Sequence, residues 1–109
     1  MSPEEGARNE LRRYARRVAD RWPVERVHVG GRRITGAGDG PEYLVVVVSA
    51  GFDGVPWLER VRQAQALWDA AELGAPAEVH CYTPVEAERK RATVPAVRQA
   101  VEEGLELEA

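Results

Sequence analysis

Apolar positions along this chain follow helical or strand periods almost throughout, and one run obeys neither. From Glu42 to Ser49 a leucine and four successive valines stand without polar alternation. Such a strand must be covered on both faces, as central strands are in sheets flanked by helices. A glycine-rich approach, Gly36 to Pro41, precedes it, and the turn Ala50–Gly54 follows. Before it, Ala7, Leu11, Tyr14, Ala15, Val18, Ala19 and Trp22 recur at three- and four-residue spacing. That stripe predicts an amphipathic helix, opened by a capping box at Ser2-Pro3-Glu4-Glu5 and stopped by Pro23. Val24–Val29 then alternates as a short half-buried strand.

After the valine run, Pro56–Leu73 reads as one helix. Trp57, Leu58, Val61, Ala64, Trp68 and Ala71 are expected on its buried stripe, with Gly74 and Pro76 as stop signals. Glu78–Tyr82 predicts a third strand, with Glu78, His80 and Tyr82 on one face and Val79 and Cys81 on the other. Thr83-Pro84-Val85-Glu86 is a second capping box, opening a helix to about Arg91. A further helix is expected over Pro95–Glu103, with Ala96, Val97, Ala100 and Val101 inward. Leu105-Glu106-Leu107 alternates like a terminal edge strand or a packed tail. The element order predicts an α/β (α+β) domain with a small mixed sheet of three to four strands flanked by helices. The first two strands should be antiparallel neighbours, and the long helix a crossover to the third.

With 109 residues the chain reads as one domain with a single core. The net charge of −3 gives no overall pull toward nucleic acid or an anionic membrane, and neither is expected as a partner. The arginines at 8, 12, 13, 16, 17 and 21 are read as the solvated face of the first helix. Lys90 is the only lysine. Cys81 is the only cysteine, so no internal disulfide can form, and a cytoplasmic setting is the natural expectation. The longest apolar run is too short to span a bilayer, and no signal peptide is expected.

Candidate chemistry is sparse. The first strand runs into Gly30-Gly31-Arg32-Arg33. A tight turn there, followed by a helix start, would aim free N–H groups at an anion, with arginines supplying bidentate donors for phosphate. Gly30, Gly31 and Arg32 are therefore candidate nucleotide-binding residues, against the simpler reading of a plain turn. His28, His80 and Glu78 form a conceivable metal set, against the commoner case of histidines at strand edges. Cys81 is expected to be a buried small hydrophobe. The tryptophans at 22, 57 and 68 fit helical stripes, and Trp57 is the candidate interface aromatic.

From Val45 to Leu107 the chain resembles the C-terminal two-thirds of bacterial minimal nucleotidyltransferase domains, of the DNA polymerase β superfamily. The motifs are the valine strand, the Phe52 turn, the Glu59-Arg60 pair and Tyr82-Thr83-Pro84-Val85-Glu86. A closing Ala100-x-x-x-Gly104-x-x-Leu107 completes the set. The resemblance implies a nucleotidyltransferase-like fold over the whole chain. The family's chemistry needs Gly-Ser after the first strand and Ser-Asp-x-Asp at the start of the second, where paired aspartates hold Mg²⁺ against a triphosphate. Here Gly30-Gly31 replaces Gly-Ser, and Pro41 and Tyr43 stand at the aspartate positions. Sliding the register brings in Glu42, whose i+2 neighbour is Leu44; Glu78 is the counterpart of the third carboxylate. Glu42 and Glu78 are thus a remnant metal set, no catalytic residue is assigned, and no cofactor is expected. The resemblance implies a catalytically degenerate module that binds a protein partner, as in toxin–antitoxin-like pairs, or a second copy of itself. The alternative is a divergent Mg²⁺-dependent nucleotidyltransferase using Glu42, Glu78 and Asp39 to transfer a nucleoside monophosphate from NTP to a protein or small molecule. A third reading keeps nucleotide binding at Gly30, Gly31 and Arg32 without transfer.

Overall fold

The computed structural model describes residues 3–36 and 39–108. Ser2, which would open the first capping box, and residues 37–38 of the glycine-rich approach lie outside them. Helix α1 spans Pro3–Ala19, and Leu11, Tyr14, Ala15 and Val18 on its apolar stripe are fully buried. Strand β1, Val24–Gly30, pairs antiparallel with β2, Tyr43–Ser49, across a connection holding the single-turn helix α2, Arg32–Thr35. A 3-10 turn over Ala50–Phe52 follows β2. Helices α3, Trp57–Ala66, and α4, Ala70–Leu73, cross over to β3, Ala77–Tyr82, which runs parallel to β2. Helices α5, Pro84–Thr93, and α6, Pro95–Glu103, lead to β4, Leu105–Leu107, antiparallel to β1. The sheet order is β3-β2-β1-β4. The expected mixed α/β sheet flanked by helices is present, with four strands.

All seven residues of β2 are buried, for the reason its composition gave. Tyr43, Val45 and Val47 pack with α1, Ala64, Trp68 and Leu73 on one face, while Leu44, Val46 and Val48 pack with Ala87, Val97 and Ala100 on the other. Period-two alternation thus feeds two separate apolar layers. Each buried valine contributes roughly 1.5–3 kcal/mol of transfer free energy. Gly30 lets α6 approach β1: a Cβ there would lie 2.8 Å from Ala100. Because both faces of the sheet are covered, β1 is not half-buried at its end; His28 is buried along with Val27 and Val29.

The expected single helix over Pro56–Leu73 is broken. After α3 the chain unwinds, Trp68 turns inward, and Asp69 restarts the helix by accepting hydrogen bonds from the Ala71 and Glu72 N–H groups at 3.0 and 3.1 Å. Trp68 sits edge-on between Tyr14 and Tyr43, with centroids 5.0 and 5.2 Å away, and its indole donates to the Ala75 carbonyl. An aspartate competes for backbone N–H groups as a cap, and the buried tryptophan makes the break favourable. The buried stripe of α3 also differs from the expected one. Trp57, Leu58 and Ala71 are exposed, Val61 is half-buried, and Arg60 is buried beside Ala64. Helix α5 runs two residues beyond its expected end, and Ala96 on α6 faces solvent. The Thr83 capping box forms as expected, with reciprocal bonds to Glu86 of 2.8 and 3.2 Å. No helix among the described residues is long and apolar enough to cross a membrane.

Candidate functional site

Two places on the molecule gather chemistry-bearing side chains. The first is the β1–β2 connection. Gly31 adopts φ 96°, which an L side chain rarely takes, and a Cβ there would meet the Glu42 carbonyl at 2.6 Å. This turn starts α2, but its N–H groups are not free. The Arg32 and Arg33 N–H groups donate to the Pro41 and Glu42 carbonyls at 3.0 Å, and those of Ile34 and Thr35 to Gly31. At the expected anion cradle of Gly30, Gly31 and Arg32, the backbone donors of Arg32 to Thr35 serve the turn itself. The Arg32 side chain bonds the Gly40 carbonyl at 2.8 Å. Beside it opens a cavity of about 500 Å³, bordered by Gly31, Arg32, Pro41, Leu44, Arg98 and Gln99.

Glu42 does not line this cavity and is held by two arginines, Arg33 Nε at 3.3 Å and Arg32 Nη2 at 3.6 Å. Glu78, aligned with Leu44 across the parallel pair, accepts from His80 Nε2 at 2.9 Å. The two glutamates are thus each committed to a different basic side chain. Tyr43, at an aspartate position of the resembled family, points into the core and donates its hydroxyl to the Leu73 carbonyl. Among the described residues no group of three or more His, Cys, Asp or Glu is placed to hold a metal ion. His28 and His80 are both aligned with Val46 on either side of β2. Two strand spacings separate them by roughly 10 Å, so the His28–His80–Glu78 set does not assemble.

The second place lies at the far end of β3, an edge strand. Trp57, at the start of α3, stacks on Tyr82 with centroids 5.3 Å apart at 29°. His80 joins them, its Nδ1 2.7 Å from the Tyr82 hydroxyl. With a neutral ring and an ionised Glu78, Nε2–H donates to the carboxylate and Nδ1 accepts from Tyr82. Burial pushes the Tyr82 hydroxyl up to about 12, with Cys81, Glu78 and Glu86 adding to the shift, so it stays protonated at neutral pH. Burial likewise pushes the Cys81 thiol up to about 12, against the pull of Arg60. Cys81 is a buried apolar residue, as expected, and neither group is an activated nucleophile. A cleft of about 480 Å³ opens here, lined by Trp57, His80, Tyr82, Glu86, Lys90 and Val94.

Arg60 organises this end and was not singled out as a site residue from the sequence. It is 7% exposed and donates to the Val55 carbonyl at 2.8 Å, the Cys81 carbonyl at 3.3 Å and Glu86 at 2.7 Å. Burial alone would raise Glu86, but the Thr83 N–H and the Arg60 guanidinium outweigh it and hold the carboxyl below its ordinary range. The available signal was an arginine four residues before Ala64, on the buried stripe of α3. In comparisons with known proteins no family model matches this chain, and no curated protein or solved structure matches it significantly.

Proposed function

We propose that this chain is a nucleotidyltransferase-type domain whose catalytic positions have degenerated and which acts as a protein-binding or regulatory module. Its partner is a companion protein, as in toxin–antitoxin-like pairs, or a second copy of the chain. The observation that carries this reading is the exposure of large apolar side chains on α3 and α5: Trp57 is 41% exposed, Leu58 80% and Val85 62%. Large apolar side chains left in water beside a stacked aromatic pair are the usual core of an interface. The spent carboxylates support it from the other side, since Glu42 is paired with arginines and its strand neighbour Leu44 is apolar and buried. The reading includes a cytoplasmic setting, which suits a lone, buried thiol.

A cavity beside Gly31 and Arg32 has room for a nucleotide, and the second reading is a divergent Mg²⁺-dependent nucleotidyltransferase that uses Glu42, Glu78 and Asp39, none of which lines that cavity. Calorimetric titration with ATP or GTP plus Mg²⁺ separates the two. The module reading expects no metal-dependent heat. Nucleotide binding that needs Mg²⁺ and disappears in Glu42→Ala and Glu78→Ala would overturn it.

A further inference from the structure

The cleft beside Trp57 has an uneven charge inventory. Glu86 is ion-paired with Arg60 and accepts from the Thr83 N–H, whereas Glu78 only accepts a hydrogen bond from the neutral His80 ring. Lys90, one helical turn after Glu86, also lines the cleft, and the exposed Arg89 stands beside it, one turn after Val85. Among the described residues neither Lys90 nor Arg89 forms an ion pair, whereas Arg91, next along, is occupied by Glu88 and Glu102. Glu86 and Arg60 cancel and Glu78 keeps its charge beside a neutral His80, so Lys90 and Arg89 together still leave the rim of this cleft net positive. Leu58 and Val85, adjacent in the chain to Trp57 and Glu86, are exposed as well.

We propose that this cleft docks an acidic peptide segment of a protein partner, with an apolar anchor side chain against Trp57 and a neighbouring carboxylate on Lys90 and Arg89. This rests on the partner-module reading and adds to it the site and the partner's chemistry. Charge complementarity fixes the sign, because an uncommitted lysine and arginine at a rim steer and retain carboxylates. Strand addition to β3 is disfavoured, since Arg60 already occupies the Cys81 carbonyl. A nucleic acid fits less well. Tyr82 is buried under Trp57 and offers no second stacking platform, and two cations make a short track for a phosphate backbone.

The test follows the indole and amide signals of isotope-labelled full-length protein by NMR. The probe is acetyl-Asp-Glu-Trp-Asp-Glu-amide, beside versions with alanine at the anchor or lysine at every acidic position, and a short oligothymidylate. The expected result is a saturable shift of the Trp57 indole and Lys90 amide, with Trp22 and Trp68 unmoved. Both control peptides should bind about tenfold more weakly, and Lys90→Glu should weaken the acidic peptide about tenfold, as loss and reversal of a rim charge does. Lys90 is exposed, so unchanged Trp22 and Trp68 signals certify the fold of Lys90→Glu. Equal binding of the lysine peptide, tighter binding of the oligonucleotide, shifts confined to another surface, or no shift with any probe would each overturn the proposal. A parallel ATP–Mg²⁺ titration keeps the two failures apart. Metal-dependent shifts at Gly31 and Arg32 retire the module reading itself, whereas peptide shifts away from Trp57 retire only this site.

Discussion

His28 sits 5% exposed in β1, with its Nδ1 buried and without a hydrogen-bond partner among the described residues. Burial lowers its pKa from the ordinary 6.5; Glu106 opposes the shift and Arg26 reinforces it. The sign follows from linkage. As pH falls through 6.5 the unfolded chain takes up a proton that the folded chain resists, so stability is full above that value and declines below it. Thermal unfolding between pH 7 and 5 should therefore show a falling midpoint in the wild type. His28→Leu, which also removes the unpartnered nitrogen, should lack this part of the slope; an unchanged slope would assign it elsewhere. The alternation of Val27 and Val29 with Arg26 and His28 suggested a solvated His28 face. That pattern could not reveal that α5 and α6 cover the second face of the sheet.

Among the elements, α3, β3 and α5 are joined by one guanidinium. Arg60 leaves α3 to reach the Cys81 carbonyl of β3 and the Glu86 carboxylate of α5, and also lies over the Phe52 ring at 5.6 Å. Buried ion pairs add little net stability when intact, but losing one partner leaves the other groups desolvated and unpaired. Arg60→Ala should destabilise by roughly 3 kcal/mol in denaturant unfolding, and Glu86→Gln by less, because Glu86 is partly exposed. A change under about 0.5 kcal/mol for Arg60→Ala would mean that water replaces these contacts. The helix boundaries around this junction divide by the origin of their cause. Thr83 with Glu86 was legible as a capping box because the bonded groups lie three residues apart. The break at Trp68 and Asp69 was not, because the benefit comes from Tyr14 and Tyr43, remote in the chain.

For the molecule as a whole, the distinguishing arrangement is one strand shared by two apolar layers. Val45 belongs to the layer under α1 and α3, and Val46 to the layer under α5 and α6. Truncating either to alanine should cost roughly 2 kcal/mol through lost transfer energy and a residual cavity. Although the two are adjacent in sequence, their side chains share no packing partners. The double variant should equal the sum of the singles within about 0.5 kcal/mol. A larger coupling, measured by denaturant unfolding of all four proteins, would mean that the layers relax together through the backbone.

The sequence by itself determined the class and most of the elements. The valine run, the strand at Glu78–Tyr82, the helix over Pro95–Glu103 and the Thr83 cap all follow from interactions between residues a few positions apart. It also showed that aspartates are missing where the resembled family carries them. Only the tertiary structure decided which side chains meet. Strand order set His28 two strands from His80. The fold of the β1–β2 connection gave Glu42 to Arg32 and Arg33 and consumed the N–H groups at Gly31's turn. The packing of α3 against β3 turned Arg60 inward and left Trp57 stacked on Tyr82 at the surface. The physical reason is common to all of these: periodicity specifies a face, but what covers that face is set by strand order and crossover geometry, which residues distant in sequence fix together.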